Sequence, residues 1–526
     1  MGNKMTATCE LLFESSTRFP DRPAVIADGK TITYAELALN VRASASSLAQ
    51  QGVTSGQRLA ILMNNGIPFI EAYFAGLAVG ATVVPLNPLL SAKELEHAIV
   101  DSGASLLVTS GDPADVASPV ADRVGCRSLT WAELPPASGP TERPALAGDD
   151  DAVVIYTSGT TGTPKGAVLS HSNLLWNAWI SASPNLFSLT EQDVILAALP
   201  LFHVYGMTCV MNAGFLAGSC LVVMPRFHAE DALRLMAEHR VTILEGVPTM
   251  YVALLEAARA GAAQIPTLRL CTSGGAPMAV SLLTDFEAAF NTVIMEGYGL
   301  SETSPMVCFN QPHFPRRPGT VGRPVWGVEV EIARDDVSDR IEFVRTGERG
   351  EVVVRGHNVF KGYLGRPDAT AEVMVDGWFR TGDIGIRDDD GYIAIIDRKK
   401  ELIIRGGYNV YPREIEENLK HHPAVVDAVV IGRPDPRYGE EVVAVVRLTA
   451  SAADDSPAIL DWISERVARY KRPRELVILD QLPMSATGKV LKRVLAQQLF
   501  GHAGSAMTPP VAVHQVATKN GTEAGI

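Results

Sequence analysis

The first 110 residues alternate between short apolar runs and longer stretches in which apolar residues recur three or four positions apart. The short runs predict strands, and the longer stretches predict amphipathic helices. Strands are predicted at 58–63, 82–85 and 105–109, and helices at 34–51, 67–77 and 92–101. Because strands alternate with helices, this part of the chain predicts a parallel sheet with helices on its faces.

Residues 110–150 are rich in Pro, Ala and Asp, and they predict a surface connection before the alternation resumes. Further strands are predicted at 153–156, 194–198, 221–224, 242–245, 269–272 and 292–295, with helices at 230–240, 248–260 and 278–290. The uncharged stretch 207–225 contains Asn212, Ser219 and two glycines. We therefore expect a buried helix followed by a core strand there rather than a membrane span.

The pattern changes near residue 320. Segments 328–333, 350–356 and 391–397 alternate with a period of two, which predicts a small antiparallel or barrel-like sheet. Beyond residue 397, strands are predicted at 425–431, 442–448 and 475–479, and helices at 412–420, 459–469 and 490–499. The fold class expected is α/β. It comprises a large N-terminal domain (1–397) of parallel α/β sheets plus the barrel-like sheet, a small mobile α+β C-terminal domain (398–500), and a disordered tail (501–526).

Composition narrows the functional classes. The 526 residues carry 46 Lys and Arg against 59 Asp and Glu, a net charge of −13, which disfavours nucleic acid as a partner. The six cysteines are scattered and form no CxxC pair, so neither a disulfide framework nor a zinc site is expected. The first residues contain no apolar run typical of a signal peptide. A cytoplasmic protein without a transmembrane segment is therefore predicted.

The strongest chemical signal is the segment YTSGTTGTPKG at 156–166, which follows a predicted strand and precedes a helical stretch. Its glycines allow backbone N–H groups to approach an anion, and its hydroxyls and Lys165 add donors. Lys165 precedes Gly rather than Ser or Thr, so the segment is not a Walker A loop. We expect it to bind polyphosphate. The candidate contacts are Thr157, Ser158, Gly159, Thr160, Thr161, Gly162 and Lys165.

Six further segments follow in order: PLFHVYG (200–206), TSGGAP (272–277), GYGLSET (297–303), GWFRTGD (377–383), DRKK (397–400) with GGYN (406–409), and PMSATGK (483–489). With the polyphosphate loop, this series resembles the adenylate-forming superfamily of acyl-CoA synthetases, adenylation domains and beetle luciferases, over roughly residues 10–497. The resemblance implies a large N-terminal and a small mobile C-terminal domain. It also implies that a carboxylic acid reacts with ATP to acyl-AMP and pyrophosphate, and that the acyl group then passes to a thiol.

The same resemblance assigns roles to individual residues. Lys489 would contact the acid and the α-phosphate, Glu302 and Thr157 would hold Mg²⁺, and His203 would lie beside the acyl channel. Tyr298 would stack on adenine opposite a wall of three small residues, Gly274, Gly275 and Ala276. Asp383 would accept hydrogen bonds from both ribose hydroxyls, and Arg398 would reach the ribose or the phosphates. The remaining residues of the expected nucleotide site are Glu296, Gly297, Gly299, Ser301 and Ile395.

The expected acyl pocket is mainly apolar. Its candidate lining residues are His203, Tyr205, Gly206, Met207, Pro248, Ser273, Gly299, Met306 and Val307. Segment 200–206 lacks the Asp with which amino-acid adenylation domains bind the substrate ammonium, and the pocket segments offer no cation for a second carboxylate. We therefore expect a medium- or long-chain fatty acid, with an aryl or hydroxycinnamic acid as the alternative.

Coenzyme A is the expected acceptor, because the chain has no carrier-protein domain. The resemblance makes Lys400 the hinge of the small domain and brings Gly406, Gly407 and Tyr408 to the pantetheine arm. Two alternatives stay open: an enzyme that loads a separate carrier protein, and a non-catalytic nucleotide-binding protein. The expected partners are thus ATP, Mg²⁺, a carboxylic acid and coenzyme A. A homodimer and a lysine acetyltransferase acting on Lys489 are further hypotheses.

Overall fold

The computed structural model describes residues 5–140, 142–157, 164–261, 267–449, 456–484, 490–501 and 514–517. In chain order the strands are β1 (Pro23–Ala27), β2 (Lys30–Thr33), β3 (Arg58–Met63), β4 (Thr82–Leu86), β5 (Leu106–Ser110), β6 (Arg127–Thr130), β7 (Asp151–Thr157), β8 (Lys165–Ser170), β9 (Val194–Ala197), β10 (Cys220–Val223), β11 (Ile243–Gly246), β12 (Leu270–Ser273), β13 (Ile294–Gly299), β14 (Met306–Phe309), β15 (Arg323–Pro324), β16 (Val328–Ala333), β17 (Arg349–Gly356), β18 (Gly362–Tyr363), β19 (Met374–Val375), β20 (Trp378–Arg387), β21 (Ile393–Arg398), β22 (Ile403–Arg405), β23 (Tyr408–Val410), β24 (Val425–Asp435), β25 (Gly439–Leu448), β26 (Glu475–Ile478) and β27 (His514–Ala517). The α-helices are α1 (Glu10–Arg18), α2 (Tyr34–Gln50), α3 (Ile67–Ala78), α4 (Ala92–Ser102), α5 (Pro113–Val124), α6 (His171–Ala182), α7 (Ala213–Ala217), α8 (Ala229–Glu238), α9 (Pro248–Arg259), α10 (Val280–Phe290), α11 (Pro367–Val373), α12 (Pro412–Lys420), α13 (Ser456–Arg466) and α14 (Lys492–Phe500).

These strands form four sheets. A seven-stranded sheet has the order β18-β8-β7-β4-β3-β5-β6, and a nine-stranded sheet has the order β15-β14-β13-β12-β11-β9-β10-β1-β2. Both are parallel in their centres and carry antiparallel strands at their edges. The predicted parallel α/β architecture is therefore confirmed.

Local sequence signals explain where several helices begin and end. Thr33 and Glu36 form a reciprocal capping box at the start of α2, and Ser91 and Glu94 form another at the start of α4. Helix α4 ends at Gly103, whose φ of 59° lies in the left-handed region that glycine adopts readily. Because these signals are local, the predicted bounds agree with the observed ones to within a residue or two.

The predicted surface connection at 110–150 is wrong in its first half. Helix α5 lies there, and β6 extends the seven-stranded sheet beside β5 in parallel. The buried side of α5 consists of small side chains at helical spacing, Pro113, Ala117, Val120 and Ala121. Small apolar residues among Pro and Asp produce a weak helical pattern, which is why the composition indicated a loop.

A second correction concerns the polyphosphate loop. It does not lead directly into a helix, because β8 follows it and pairs with β7 in antiparallel register before α6 begins.

The uncharged stretch 207–225 agrees with its prediction: a π-helical segment (Gly206–Asn212), α7 and then β10 are all buried or nearly so. Within the described ranges, no helix is long and apolar enough to cross a membrane.

Two smaller sheets follow. The five-stranded sheet has the order β16-β17-β20-β19, with β21 paired to β20, and is antiparallel as predicted. The last sheet has the order β23-β22-β25-β26-β27, with β24 paired to β25, and α12 and α13 pack beside each other against its own apolar core. The domain boundary at 397 stays a prediction. Of the tail, only Gly501 and β27 are described; β27 pairs with β26, and the rest of the disorder prediction lies outside the described residues.

Candidate functional site

The two large sheets meet at the flanks of the polyphosphate loop. Thr157 ends β7 and Lys165 begins β8, and the two residues are register partners. Residues 158–163, which include the candidate contacts Ser158, Gly159, Thr160, Thr161 and Gly162, lie outside the described residues, as does Lys489. The flanking strands therefore define where the loop starts and returns.

A buried carboxylate stands beside this loop. Glu302, only 9% exposed, lies in the 3-10 turn that follows β13, and its Oε1 accepts hydrogen bonds from Thr157 Oγ1 (3.4 Å) and Tyr363 OH (2.9 Å). Thr303 stabilises the turn, since its Oγ1 accepts from Leu300 N and donates to Pro305 O. Glu302, which follows a strand of the nine-stranded sheet, is thus held by two groups of the seven-stranded sheet.

This pair of oxygen donors fits Mg²⁺. Among the described residues, no group of three or more His, Cys, Asp or Glu side chains could hold a metal ion. Mg²⁺ does not require such a cage, because it keeps several waters and is bound in nucleotide sites through one or two carboxylates and the phosphates. The hydroxyl of Thr157 and the carboxylate of Glu302 therefore have the chemistry that such a site needs.

A second polar cluster joins the nine-stranded and five-stranded sheets. Tyr298 OH donates to Asp383 Oδ2 at 2.6 Å, and Arg398 Nε lies 3.2 Å from Asp383 Oδ1. The Asp383 side chain is only 4% exposed, and its charge raises the pKa of Arg398. Burial, followed by the charge of Asp383, raises the pKa of Tyr298 well above its ordinary value. The predicted adenine, ribose and phosphate residues are thus in direct contact.

The position of Asp383 is set by the sheet beneath it. Its N–H donates to Thr381 Oγ1 at 3.0 Å, and that hydroxyl donates to a carbonyl of β17. The backbone N–H of Gly382 donates to Glu351 Oε1. The other carboxylate oxygen of Glu351, Oε2, forms a buried ion pair with Arg380 at 2.6 Å. A buried, hydrogen-bonded network of this kind restricts the carboxylate to one orientation.

The remaining predicted nucleotide residues surround these clusters. Gly299 cannot carry a side chain, because a Cβ there would lie 1.9 Å from Pro305 O. Glu296 Oε2 accepts a hydrogen bond from Gly319 N, and burial raises the pKa of Glu296 to about 7. The Glu296 carboxyl therefore holds the loop between β14 and β15, which contains Gly319. Others lie at strand ends or adjoining turns: Gly274, Gly275 and Ala276 after β12, Gly297 in β13, Ser301 at the start of the 3-10 turn and Ile395 in β21.

The predicted acyl residues form a wall between the π-helical segment and the nine-stranded sheet. Tyr205 OH shares a hydrogen bond of 2.8 Å with Thr272 Oγ1, and His203 Nδ1 accepts from Tyr205 N at 3.3 Å. Gly206 packs against backbone, since a Cβ there would lie 2.4 Å from Pro200 O. The buried members are Met207, Ser273, Met306 and Val307, while Pro248 begins α9 and is half-buried.

Three residues of this region were missed by sequence reasoning. Tyr363 binds Glu302 from 61 positions away, and Asn177 on α6 accepts from Met306 N at 2.8 Å. Glu245 on β11 is completely buried, neither of its carboxyl oxygens has a hydrogen-bond partner among the described residues, and burial raises its pKa to about 8. The available signal for Glu245 was a charged residue inside a predicted core strand, 242–245.

The predicted hinge residue, Lys400, lies just before β22, the first strand of the last sheet. The residues predicted to contact coenzyme A, Gly406, Gly407 and Tyr408, lie in or next to that sheet. Burial, followed by the charge of Arg398, lowers the pKa of Lys400, while the charges of Glu401, Asp383 and Glu302 act in the opposite direction. Gly406 and Gly407 adopt φ angles of 57° and 82° in the turn between β22 and β23. Tyr408 is exposed and its ring packs 4.8 Å from that of Tyr470.

Comparison with known proteins agrees with this geometry. The AMP-binding enzyme family matches residues 12–364, and the AMP-binding enzyme C-terminal domain matches residues 414–489. A feruloyl-CoA synthase of Amycolatopsis sp is 38% identical over 478 residues, covering 90% of this chain and 95% of the relative. A long-chain-fatty-acid–CoA ligase of Bacillus subtilis (strain 168) is 32% identical over 533 residues, covering 93% of this chain and 94% of the relative.

A solved structure is similar throughout. The o-succinylbenzoate CoA synthetase MenE of Bacillus subtilis, 32% identical, superimposes with a TM-score of 0.83 in complex with its acyl-adenylate intermediate, covering 92% of this chain and 97% of that one. Its complex with ATP and a magnesium ion gives a TM-score of 0.80. Both parts of the family and almost the full length of the chain are matched. The chain therefore belongs to the AMP-binding enzymes and is an adenylate-forming enzyme of the acyl-CoA synthetase type.

Proposed function

We propose that this enzyme converts an aryl carboxylic acid to its coenzyme A thioester through an acyl-AMP intermediate. The observation that carries the adenylate-forming part of the proposal is the pair of clusters described above, one around Glu302 and one around Asp383, while the choice of an aryl acid is supported by the acyl wall. In the first step a carboxylate oxygen attacks the α-phosphorus of ATP, and pyrophosphate leaves. In the second step the thiol sulfur attacks the acyl carbon, the thiol proton is released and AMP leaves.

The Glu302 cluster is suited to the phosphates. Thr157 and Glu302 would hold Mg²⁺ against them, with Tyr363 orienting the carboxylate. The bound ion supplies positive charge that offsets the charge developing on the leaving pyrophosphate. Lys165, whose Nζ stands 5.2 Å from the centre of the Tyr363 ring, adds a second cation on the same side.

The Asp383 cluster is suited to the nucleoside. A carboxylate with two oxygens can accept from both ribose hydroxyls, and here it is pre-oriented by Tyr298 and Arg398. Catalysis in such a site is mainly positioning and charge stabilisation, so groups held by a buried network are worth more than mobile ones. The face of the Tyr298 ring would then lie against adenine.

We assign to Lys489 the role of binding the acid and the α-phosphate during adenylation, on the evidence of the PMSATGK segment alone. A Lys489→Gln variant removes the charge, as acetylation of this lysine would. We expect it to lose adenylation and to keep thioester formation from supplied acyl-AMP. Full adenylation by this variant would overturn both the role and the acetylation hypothesis.

Two acid classes compete. The aryl class is favoured by the polar groups in the acyl wall, namely Tyr205, Thr272 and Ser273, and by the 38% identity to a feruloyl-CoA synthase. A medium- or long-chain fatty acid is the second candidate, supported by the buried methionines Met207 and Met306 and by the fatty-acid ligase relative. The residues of the sequence motifs do not distinguish the two acids, because adenylation involves only the carboxylate that both acids carry.

The first test measures pyrophosphate and AMP release by the full-length protein with Mg-ATP, with and without coenzyme A. The acids are cinnamate, 4-hydroxycinnamate, hexadecanoate and a dicarboxylate. Coenzyme A-dependent turnover of the cinnamates supports the proposal, and turnover of hexadecanoate alone replaces it with the fatty acid. Pyrophosphate release that does not respond to coenzyme A would indicate carrier-protein loading, and ATP binding without any turnover would indicate a non-catalytic protein. A Glu302→Gln variant serves as the inactive control.

A further inference from the structure

Glu245 lies in the middle of the nine-stranded sheet, on the face that carries the acyl wall. In the parallel pair β11–β12 its register partner is Thr272, and register partners in such a pair point to the same face. Thr272 Oγ1 is hydrogen-bonded to Tyr205 OH at 2.8 Å. Burial, followed by the charge of Glu245, raises the pKa of both Tyr205 and Cys209. Glu245 therefore faces the layer formed by the π-helical segment.

The carboxyl is completely buried, and neither oxygen finds a partner among the described residues. Leaving a buried polar group unpaired costs about 1–3 kcal/mol, so such groups are rare unless something else satisfies them. Thr208 Oγ1 in the π-helical segment is also buried without a partner among the described residues, whereas the unpartnered Ser273 Oγ lies on the opposite face of β12 from Thr272. Two unpartnered side chains thus occur within the described residues on this side of the sheet, Glu245 on β11 and Thr208 in the π-helical segment that Glu245 faces.

We propose that Glu245 is a specificity-determining residue that hydrogen-bonds a hydroxyl group on the ring of an aryl substrate. This rests on the proposed aryl–CoA ligase function. A protonated carboxyl group offers one donor and one acceptor, and a phenolic hydroxyl offers the complementary acceptor and donor. An alkyl chain would leave both oxygens unpaired. The hydroxylated acid is therefore preferred, because only it supplies the partner that the buried Glu245 lacks in the free enzyme.

The test compares kcat/KM for cinnamate, 3-hydroxycinnamate and 4-hydroxycinnamate, with hexadecanoate as the reference for the other acid class. The wild-type enzyme should prefer one hydroxycinnamate over cinnamate by at least about tenfold, the loss expected for one unsatisfied buried group. Glu245→Gln keeps a donor and an acceptor and should retain part of the preference. Glu245→Leu should abolish it, so that the kcat/KM values for cinnamate and the two hydroxycinnamates become similar. Leu244→Val, on the opposite face of the same strand, should leave the preference unchanged.

The outcomes separate the two proposals. If the wild-type enzyme uses the cinnamates but shows no preference for a hydroxyl, or if Glu245→Leu keeps that preference, the role of Glu245 is refuted and the aryl ligase stands. If only hexadecanoate is used, the aryl function itself fails. The wild-type preference is measured without any variant, so the inference is testable even if Glu245→Leu does not fold.

Discussion

Removing the Tyr363 hydroxyl tests whether the residue found beside Glu302 orients it. The hydroxyl donates to Glu302 Oε1 at 2.9 Å, while the ring packs edge-on against Phe360 with centroids 4.9 Å apart. A Tyr363→Phe variant keeps the ring contacts and deletes only the donor. The variant therefore isolates one hydrogen bond to the carboxylate, with little change in packing.

The size of the effect follows from the nature of this bond. A hydrogen bond to a charged group contributes about 1.5–3 kcal/mol, more than a neutral one. Tyr363 is half-buried, so water replaces part of the lost interaction and the lower end of that range applies. About 1.4 kcal/mol corresponds to a tenfold change in rate. We expect kcat for adenylation to fall about tenfold while KM for ATP changes less, because the residue positions a group rather than binding the nucleotide.

The assay is pyrophosphate release without coenzyme A, measured across a range of Mg²⁺ concentrations. Tyr34→Phe is the matched control, since the Tyr34 hydroxyl donates to Ser219 O at 2.6 Å in the buried core. It should lower thermal stability and leave kcat unchanged. If Tyr363→Phe instead keeps kcat within twofold at every Mg²⁺ concentration, Tyr363 does not orient Glu302. If Tyr34→Phe loses as much activity as Tyr363→Phe, the loss reflects destabilisation only.

Three further predictions concern buried carboxyl groups. Asp383→Asn should raise KM for ATP at least about tenfold, seen in initial-rate kinetics, because an amide cannot accept from two ribose hydroxyls with both of its groups. Glu351→Gln should lower the free energy of unfolding by about 3–5 kcal/mol in denaturant titrations, because it leaves the buried Arg380 without its counter-charge. Glu245→Gln should stabilise the protein more at pH 8.5 than at pH 5, compared by denaturant unfolding at the two pH values. The raised pKa of about 8 makes the folded wild type retain a proton that the unfolded chain releases above its ordinary pKa of 4.5, so wild-type stability falls as pH rises between these values.

Most of the fold could be predicted because its signals are local. Capping residues at Thr33 and Ser91 and apolar runs such as β3 depend on near neighbours in the chain. The failures arose where tertiary contacts supply the stability. Helix α5 is held by small side chains that carry little hydrophobic signal, and β8 exists because it pairs with β7 across the polyphosphate loop.

In the candidate site, too, some residues could be predicted from the sequence and others could be identified only in the folded structure. Glu302, Asp383 and Arg398 lie in sequence motifs that follow one another along the chain, and the structure brings Asp383 and Arg398 into contact. Tyr363 and Asn177 act on those motifs from distant parts of the chain, and only the folded arrangement identifies them. The roles given to the motif residues remain predictions, and the two experiments on Tyr363 and Asp383 address them directly.

The division has a chemical reason. Formation of acyl-AMP uses the same carboxylate, phosphates and ribose whatever the acid is, so the residues for that step recur as motifs. Recognition of the acid depends on groups that face the rest of the substrate, and these lie in core strands whose sequence is otherwise set by packing. Glu245 stands in such a strand, where its buried carboxyl has no hydrogen-bond partner among the described residues and carries an energetic cost. The hydroxycinnamate comparison is therefore the most informative experiment on this enzyme, because it tests whether a group of the substrate supplies the partner that this carboxyl lacks.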